Sequence, residues 1–526
     1  MKRWLKIAGV LLPIALAVYG YFEWPGYKLR ASVERTRRQV RQEGFRTELS
    51  DFNFAPSAET TNRAQTILSA SEAVRALRAI QELQPMETVG TNAALAISTV
   101  ETIKTDRATN LWSLLREELA PHHQELDRAC AALMAGPIQF QPKIRGDILL
   151  PYVAEYRRLA PTLSVRAVLA MHEHDNAAVF TNLFALSRMV IGWTPEPADV
   201  CHLVRFACVT SAEQAIWESM QTDCWSEAQL LALQREWESV RFFESLPTTA
   251  ELTCTSMVRL CRTARRERYS EKIGGWGPVF RGIFSSPGDG FRHLWSALQG
   301  YRQHASYRDQ GSYEDEKALM IYFRDRHEEL KRATACSTWK EMQPLPGVTN
   351  LVPFRGANQS RITSIMNLKQ VGMSFQTQRG GVLARAAEAE TRRRLIVTAI
   401  ALERFAIQHK AYPPSLRDLV PAFLPAITMD FMDGQELRYQ RGEDGRYVLY
   451  SVGLDGVDNG GQMVASERLG DRFPMRRAAA SGRFNTDMVW PRSATAEEVD
   501  SFKQKQRAGP TDSEILPRRP PSILPE

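Results

Sequence analysis

Ser451, Asp455, Asp458 and Asn459 fall in one short stretch, YSVGLDGVDNGG, between Tyr450 and Gly461. Two carboxylates, an amide and a hydroxyl at this spacing are the hard oxygen donors that calcium takes, and the interleaved glycines let main-chain carbonyls turn inward beside them. Asp487, in the later stretch TDMVWP, could add a further oxygen. The same residue types also favour a tight Asp-Gly turn that needs no ion.

Other side chains that could do chemistry are scattered. HEHD, from His172 to Asp175, offers metal-type ligands, but it falls where one helical pattern stops and the next is capped by Asn176. RHEEL, around His327, lacks the second histidine of a zinc-protease helix. His122 and His123 follow Pro121 and read as a turn. There is no G-x-S-x-G elbow, phosphate-binding loop or dinucleotide fingerprint. An enzyme, such as an envelope hydrolase, would need His172, Glu173 and His327 to meet in one cleft between helices of the middle region.

The oxygen-rich loop needs strands to carry it. RRRLIVTAIALERFAIQHKAYPPSLRDLV reads as a helix with Leu395, Ala399, Leu402 and Ala406 on one stripe, running into a Tyr-Pro-Pro turn. Ser415 and Asp418 have the spacing of a capping box. QELRYQRGEDGRYVLYSVG then reads as a hairpin around Asp444-Gly445.

In this order, ALERF, YPPSLRDLV, MDFMDGQELRY and LYSVGLDGVDNGG resemble the globular part of the major pseudopilin of type II secretion systems. The likeness covers roughly Leu395 to Gly461. It implies a small α+β module, a link to secretion or pilus-like machinery, and a calcium ion in the loop. Asp455 matches the family's loop aspartate, and Phe431 stands where the family has proline. A pseudopilin also carries a leader cut after glycine and a glutamate five residues into the mature chain. Counted from Gly9 that place is Ile14, with Pro13 before it. Several hundred residues separate the N-terminal apolar stretch from the module, so polymerisation by the pilin mechanism is not expected.

That stretch follows MKRWLK and is uncharged from Ile7 to Phe22, with Trp24 at its edge, the pattern of a membrane anchor or of a cleaved signal peptide. Between about Ser32 and Ala411 helical patterns dominate. In WSEAQLLALQREWESV, Ser226 and Gln229 cap a stripe of Leu230, Leu233, Trp237 and Val240, and Thr248 with Glu251 repeats the capping pattern. GGWGPVFRGIFSSPGDGFRHLW, with Trp276, Phe280, Phe284, Phe291 and Trp295, reads either as a contact surface or as a long loop pinned by its aromatics. A net charge of +7 over 526 residues argues for no nucleic-acid partner. The seven cysteines, without a C-x-x-C pair, read as buried small residues.

The chain is thus expected to be mainly α. A membrane anchor (1–24) precedes a helical-bundle or stacked-helix domain (25–360). A long helix (361–411) leads into the pseudopilin-like module (412–492), and a charged, Pro-rich tail (493–526) is expected to be disordered. The corresponding function is that of a single-pass, non-enzymatic protein of the inner membrane. Most of the chain would lie outside the cytoplasm, touching envelope or secretion-machinery proteins and no identified small-molecule substrate.

Overall fold

The computed structural model describes residues 28–54, 56–77, 80, 83, 86–104, 108–145, 147–266, 287–350, 381–463 and 487–508. Ile7 to Phe22, Trp276, Phe280 and Phe284 lie outside them. Among the described residues no helix is long and apolar enough to cross a membrane.

Helix α1 spans 28–42. It is followed by α2 (Ala58–Ala73), strands β1 (Met86–Thr88) and β2 (Ala93–Ala96), α3 (Leu111–Leu119) and α4 (His123–Ala135). A small β-ribbon, β3 (Lys143–Arg145) with β4 (Asp147–Leu149), precedes α5 (Tyr152–His172), α6 (Asn176–Ile191), α7 (Asp199–Ser219), α8 (Glu227–Ser239) and α9 (Thr248–Arg266). Next come α10 (Pro287–Ser306), α11 (Ser312–Thr334), the short α12 (Trp339–Met342) and the long α13 (Gly381–His409). The chain closes with β5 (Arg438–Arg441), β6 (Tyr447–Ser451), β7 (Met488–Trp490), β8 (Arg492–Ser493) and α14 (Ala496–Ala508). The molecule is therefore mainly helical with small sheets.

Helix ends follow local chemistry. The Ser226–Gln229 capping box forms at the start of α8, and a second, Ser415–Asp418, opens a short 3-10 turn. Two expected caps differ. Asp175, not Asn176, caps α6, its carboxylate accepting the Ala178 N–H at 3.0 Å. Glu251 turns away from the start of α9 to meet Arg46 and His327, because its buried charge needs a cation more than a backbone donor.

Helices α2, α4, α5, α6, α7 and α8 pack on one another, while α9 and α11 form a separate close pair. The long helix α13 lies against both α7 and α8. It is buried almost all round, from Val382 to Arg404, rather than along a single stripe. Its arginines pair internally: Arg392 with Glu213, Arg393 and Arg394 with Glu390, and Arg404 with Glu227.

Sheet order β5-β6-β7 is antiparallel throughout, with Arg438 opposite Tyr450 and Leu449 opposite Trp490. The last strand, β8, leaves that sheet and pairs in parallel with β2, placing Arg492 beside Ala93. The expected tail thus begins with ordered structure. Ser493 lies in β8, and α14 is tied back by the Arg492–Glu498 ion pair, 2.5 Å at Oε1 and 2.8 Å at Oε2; 509–526 lie outside the described residues. All seven cysteines are free thiols, six of them buried and Cys336 half-buried.

A carboxylate-rich loop closed by arginine

Strand β6 of the β5–β6 hairpin packs on α13 and leads into the loop. Gly445, at φ +79°, makes the turn, and the Asp444 carboxylate accepts the Arg446 N–H at 3.0 Å. Beyond β6 the chain doubles back so closely that a Cβ on Gly461 would lie 2.9 Å from Tyr450 Cδ1, and its φ of +74° also demands glycine. The Tyr412 hydroxyl donates to Glu403 of α13 at 2.7 Å, and Tyr412 meets Tyr447 of β6 edge-on at 4.7 Å.

The four candidate ligands point to different partners. Ser451 is fully buried and donates to Asp430 Oδ1 at 2.7 Å. Asp458 Oδ1 accepts the Tyr450 hydroxyl at 3.1 Å and the Gly460 N–H at 2.9 Å. The Asn459 side-chain amide donates to the Val457 carbonyl at 3.1 Å, while its backbone N–H, with that of Gly461, donates to Asp487. Asp455 Oδ1 accepts the Val457 N–H at 3.1 Å, and Asp455 Oδ2 is buried without a protein partner.

A calcium ion takes about six to eight oxygens. Here one orphaned carboxylate oxygen faces inward, and the neighbouring donors are spent on N–H and O–H groups. Among the described residues no three His, Cys, Asp or Glu side chains are placed to share an ion. In this arrangement Ser451, Asp455, Asp458 and Asn459 turn to separate protein partners, with Asp455 Oδ2 alone left over.

A protein cation occupies the centre of this network instead. The Arg438 guanidinium lies 3.0 Å from Asp430 Oδ2, 2.5 Å from Asp433 Oδ2 and 3.6 Å from Asp458 Oδ2. Asp430 also accepts the N–H groups of Met432 at 2.9 Å and Val452 at 3.1 Å. Burial pushes the Asp430 carboxyl up and opposes ionisation of Asp433, yet the bonds from Arg438 hold Asp433 below the ordinary carboxylate range. Burial likewise pushes Asp487 up. The spacing Asp430, Asp433, Arg438 was visible in MDFMDGQELR, but its meaning depends on the turn that folds these residues onto β6.

Phe431, the departure from the family pattern, is the docking point. Its carbonyl accepts the Trp339 N–H at 2.8 Å, its ring stacks on Phe243 at 5.2 Å, and the Arg394 guanidinium lies 5.0 Å above it. Trp339 Nε1 donates to the Leu454 carbonyl at 3.1 Å, so α12 holds both flanks of the loop.

The residues of the hydrolase reading are held apart by separate partners. His172 stacks on Trp112 at 4.1 Å, with Nδ1 3.1 Å from the Ser98 carbonyl. Glu173 accepts from Arg116 at 2.7 Å. His327 lies 3.6 Å from Glu251 Oε1, and burial lowers its pKa. A carboxylate missed in the sequence, Glu218, is fully buried beside Ser98, whose N–H donates to it at 2.6 Å; burial pushes Glu218 up to about 7.

No family model matches this chain, and no curated protein or solved structure matches it. The class defined by fold and loop is a mainly α protein carrying a small α+β C-terminal module, and the pseudopilin likeness rests on the motif residues.

Proposed function

We propose that this chain is a membrane-tethered, non-enzymatic envelope component that presents its C-terminal module for assembly with other proteins, in a setting related to type II secretion or pilus-like machinery. One observation carries the reading: the acidic loop functions as an internal lock. Asp430, Asp433 and Asp458 bind Arg438 of β5, and Trp339 of α12 holds the carbonyls of Phe431 and Leu454 on either side. Further support comes from His172, Glu173 and His327, each engaged in a structural contact. The uncharged Ile7–Phe22 stretch supplies the tether in this reading.

The test is affinity capture of the full chain from detergent-solubilised envelopes, with and without a calcium chelator. Secretion-system components are expected in both eluates. Their recovery only with calcium would return the ion to the account. Their absence, together with hydrolysis of a generic ester or peptide substrate, would replace the reading with the enzymatic one.

A further inference from the structure

Helix α10 is 20 residues long, yet among the described elements it packs extensively only against the π turn Tyr307–Gly311 that follows it. Trp295, Leu298 and Tyr301 are 63%, 43% and 46% exposed. At spacings of three residues they lie on one side of the helix. An exposed tryptophan, leucine and tyrosine on one side of a helix mark a face that meets something apolar.

Three observations select the occupant. First, the start of α1 lies beside the start of α11, one π turn beyond the end of α10. Arg30 Cζ is 5.6 Å from the ring of Tyr313, which follows the π turn, and a pocket between α1 and α11 is lined by Leu29, Val33, Tyr313 and Ile321. Secondly, only Glu23 to Tyr27 separate α1 from the uncharged Ile7–Phe22 stretch. At about 3.5 Å per extended residue, that connection reaches no more than about 20 Å. Trp295 lies a comparable distance, roughly 17 Å, from the end of α10. Thirdly, the charges suit anionic headgroups: α10 carries Arg292 and Arg302 against a lone Asp289, and Arg30, Arg35 and Arg38 of α1 are exposed.

We propose that α10 is an interfacial arm that lies on an anionic lipid surface through Trp295, Leu298 and Tyr301. It would hold the helical body against the membrane from which Ile7–Phe22 tethers it. Tryptophan and tyrosine suit this depth because an apolar ring carries a polar edge. Helices of this kind bind through buried apolar area plus attraction to anionic lipid. The inference rests on the tethered reading for its geometry and adds a second, separable contact.

The test reconstitutes the full chain into vesicles of neutral lipid, or of neutral with anionic lipid, that contain a photoactivatable acyl chain, and maps the labelled peptides. Labelling of the Trp295–Tyr301 peptide in anionic vesicles, weakened several-fold in neutral vesicles or high salt, supports the arm. Loss of labelling there in the surface triple variant W295S/L298S/Y301S, with the N-terminal label retained, supports it further. Label on the N-terminal stretch but not on α10 in the native chain overturns the arm and leaves the tether standing. Label on α10 but not on the N-terminal stretch does the reverse. Cross-links joining α10 to α10 of a second copy, with no lipid label there, overturn it in favour of self-association.

Discussion

At the scale of single residues the decisive group is Arg438. Three carboxylates gathered behind a hairpin need positive charge, and either an ion or a side chain can supply it. Asp430 is fully buried, so removing its partner strands a charge in a dry site. Arg438→Gln should therefore cost about 3 kcal/mol in chemical denaturation, with Arg438→Lys intermediate because an ammonium keeps the charge but lacks the planar fork that spans carboxylates set apart. Millimolar calcium should leave both losses in place; recovery of the native midpoint would show that an ion shares the job. A second residue-scale prediction concerns Glu218. Its folded pKa, about 7, lies above the ordinary 4.5, so over that interval the folded state holds a proton that the unfolded state has released. The resulting stability is complete below pH 4.5 and is lost as pH rises through about 7, at up to about 1.4 kcal/mol per pH unit. Glu218→Gln keeps the acceptor for Ser98 and should flatten this part of the melting-temperature profile. An unchanged slope would assign it to other groups. The oxygen-rich loop was legible from composition alone. Arg438 was not, because an arginine in a strand reads as solvent-facing until its turn is known to bring Asp430 and Asp433 beneath it.

At the scale of elements, α13 shows where periodicity misleads. Its sequence has an apolar stripe and three consecutive arginines, the usual pattern of a helix with one wet face. The structure buries that face too, and it does so by matching each arginine with a glutamate. Two of these, Arg393 and Arg394, share Glu390 one turn away on the same helix, a spacing the sequence does show. Arg392 reaches Glu213 on α7, a pairing no local pattern could reveal. Burial pushes Glu213 up while Arg392 pulls it down. Arg392→Ala should therefore destabilise the chain by about 3–5 kcal/mol near neutral pH, since Glu213 is left buried and unpaired. The double variant R392M/E213L should recover much of the loss, because the cost lies in the stranded charge more than in the absent attraction. Equal destabilisation in both variants would make packing volume the cause. By contrast, the helix starts at Ser226 and Ser415 were fully legible, since a capping box depends on residues three apart and on nothing distant.

At the scale of the molecule, the C-terminal module shares its core with the helical body. Buried apolar residues form one continuous cluster that runs from Val33 on α1 to Trp490 on β7. Trp217 Nε1 of α7 donates to the Pro491 carbonyl at 2.7 Å, the Met463 N–H reaches the Thr91 carbonyl at 2.6 Å, and β8 completes the sheet begun by β1 and β2. These links join residues far apart in the chain, so no window of sequence contains both partners. In the excised fragment Gly381–Arg492, α13 would lose α7 and α8, exposing part of the surface around Leu395, Ile396, Ile400 and Leu402, all fully buried in the whole chain. At about 2 kcal/mol per side chain, full exposure of those four costs roughly 8 kcal/mol, comparable with the entire stability of an ordinary domain. The fragment is therefore expected to unfold without a cooperative transition and to give poorly dispersed amide resonances, whereas the full chain melts sharply. A sharp melt and well-dispersed spectrum from the fragment would establish the module as autonomous and make the shared core incidental to its folding.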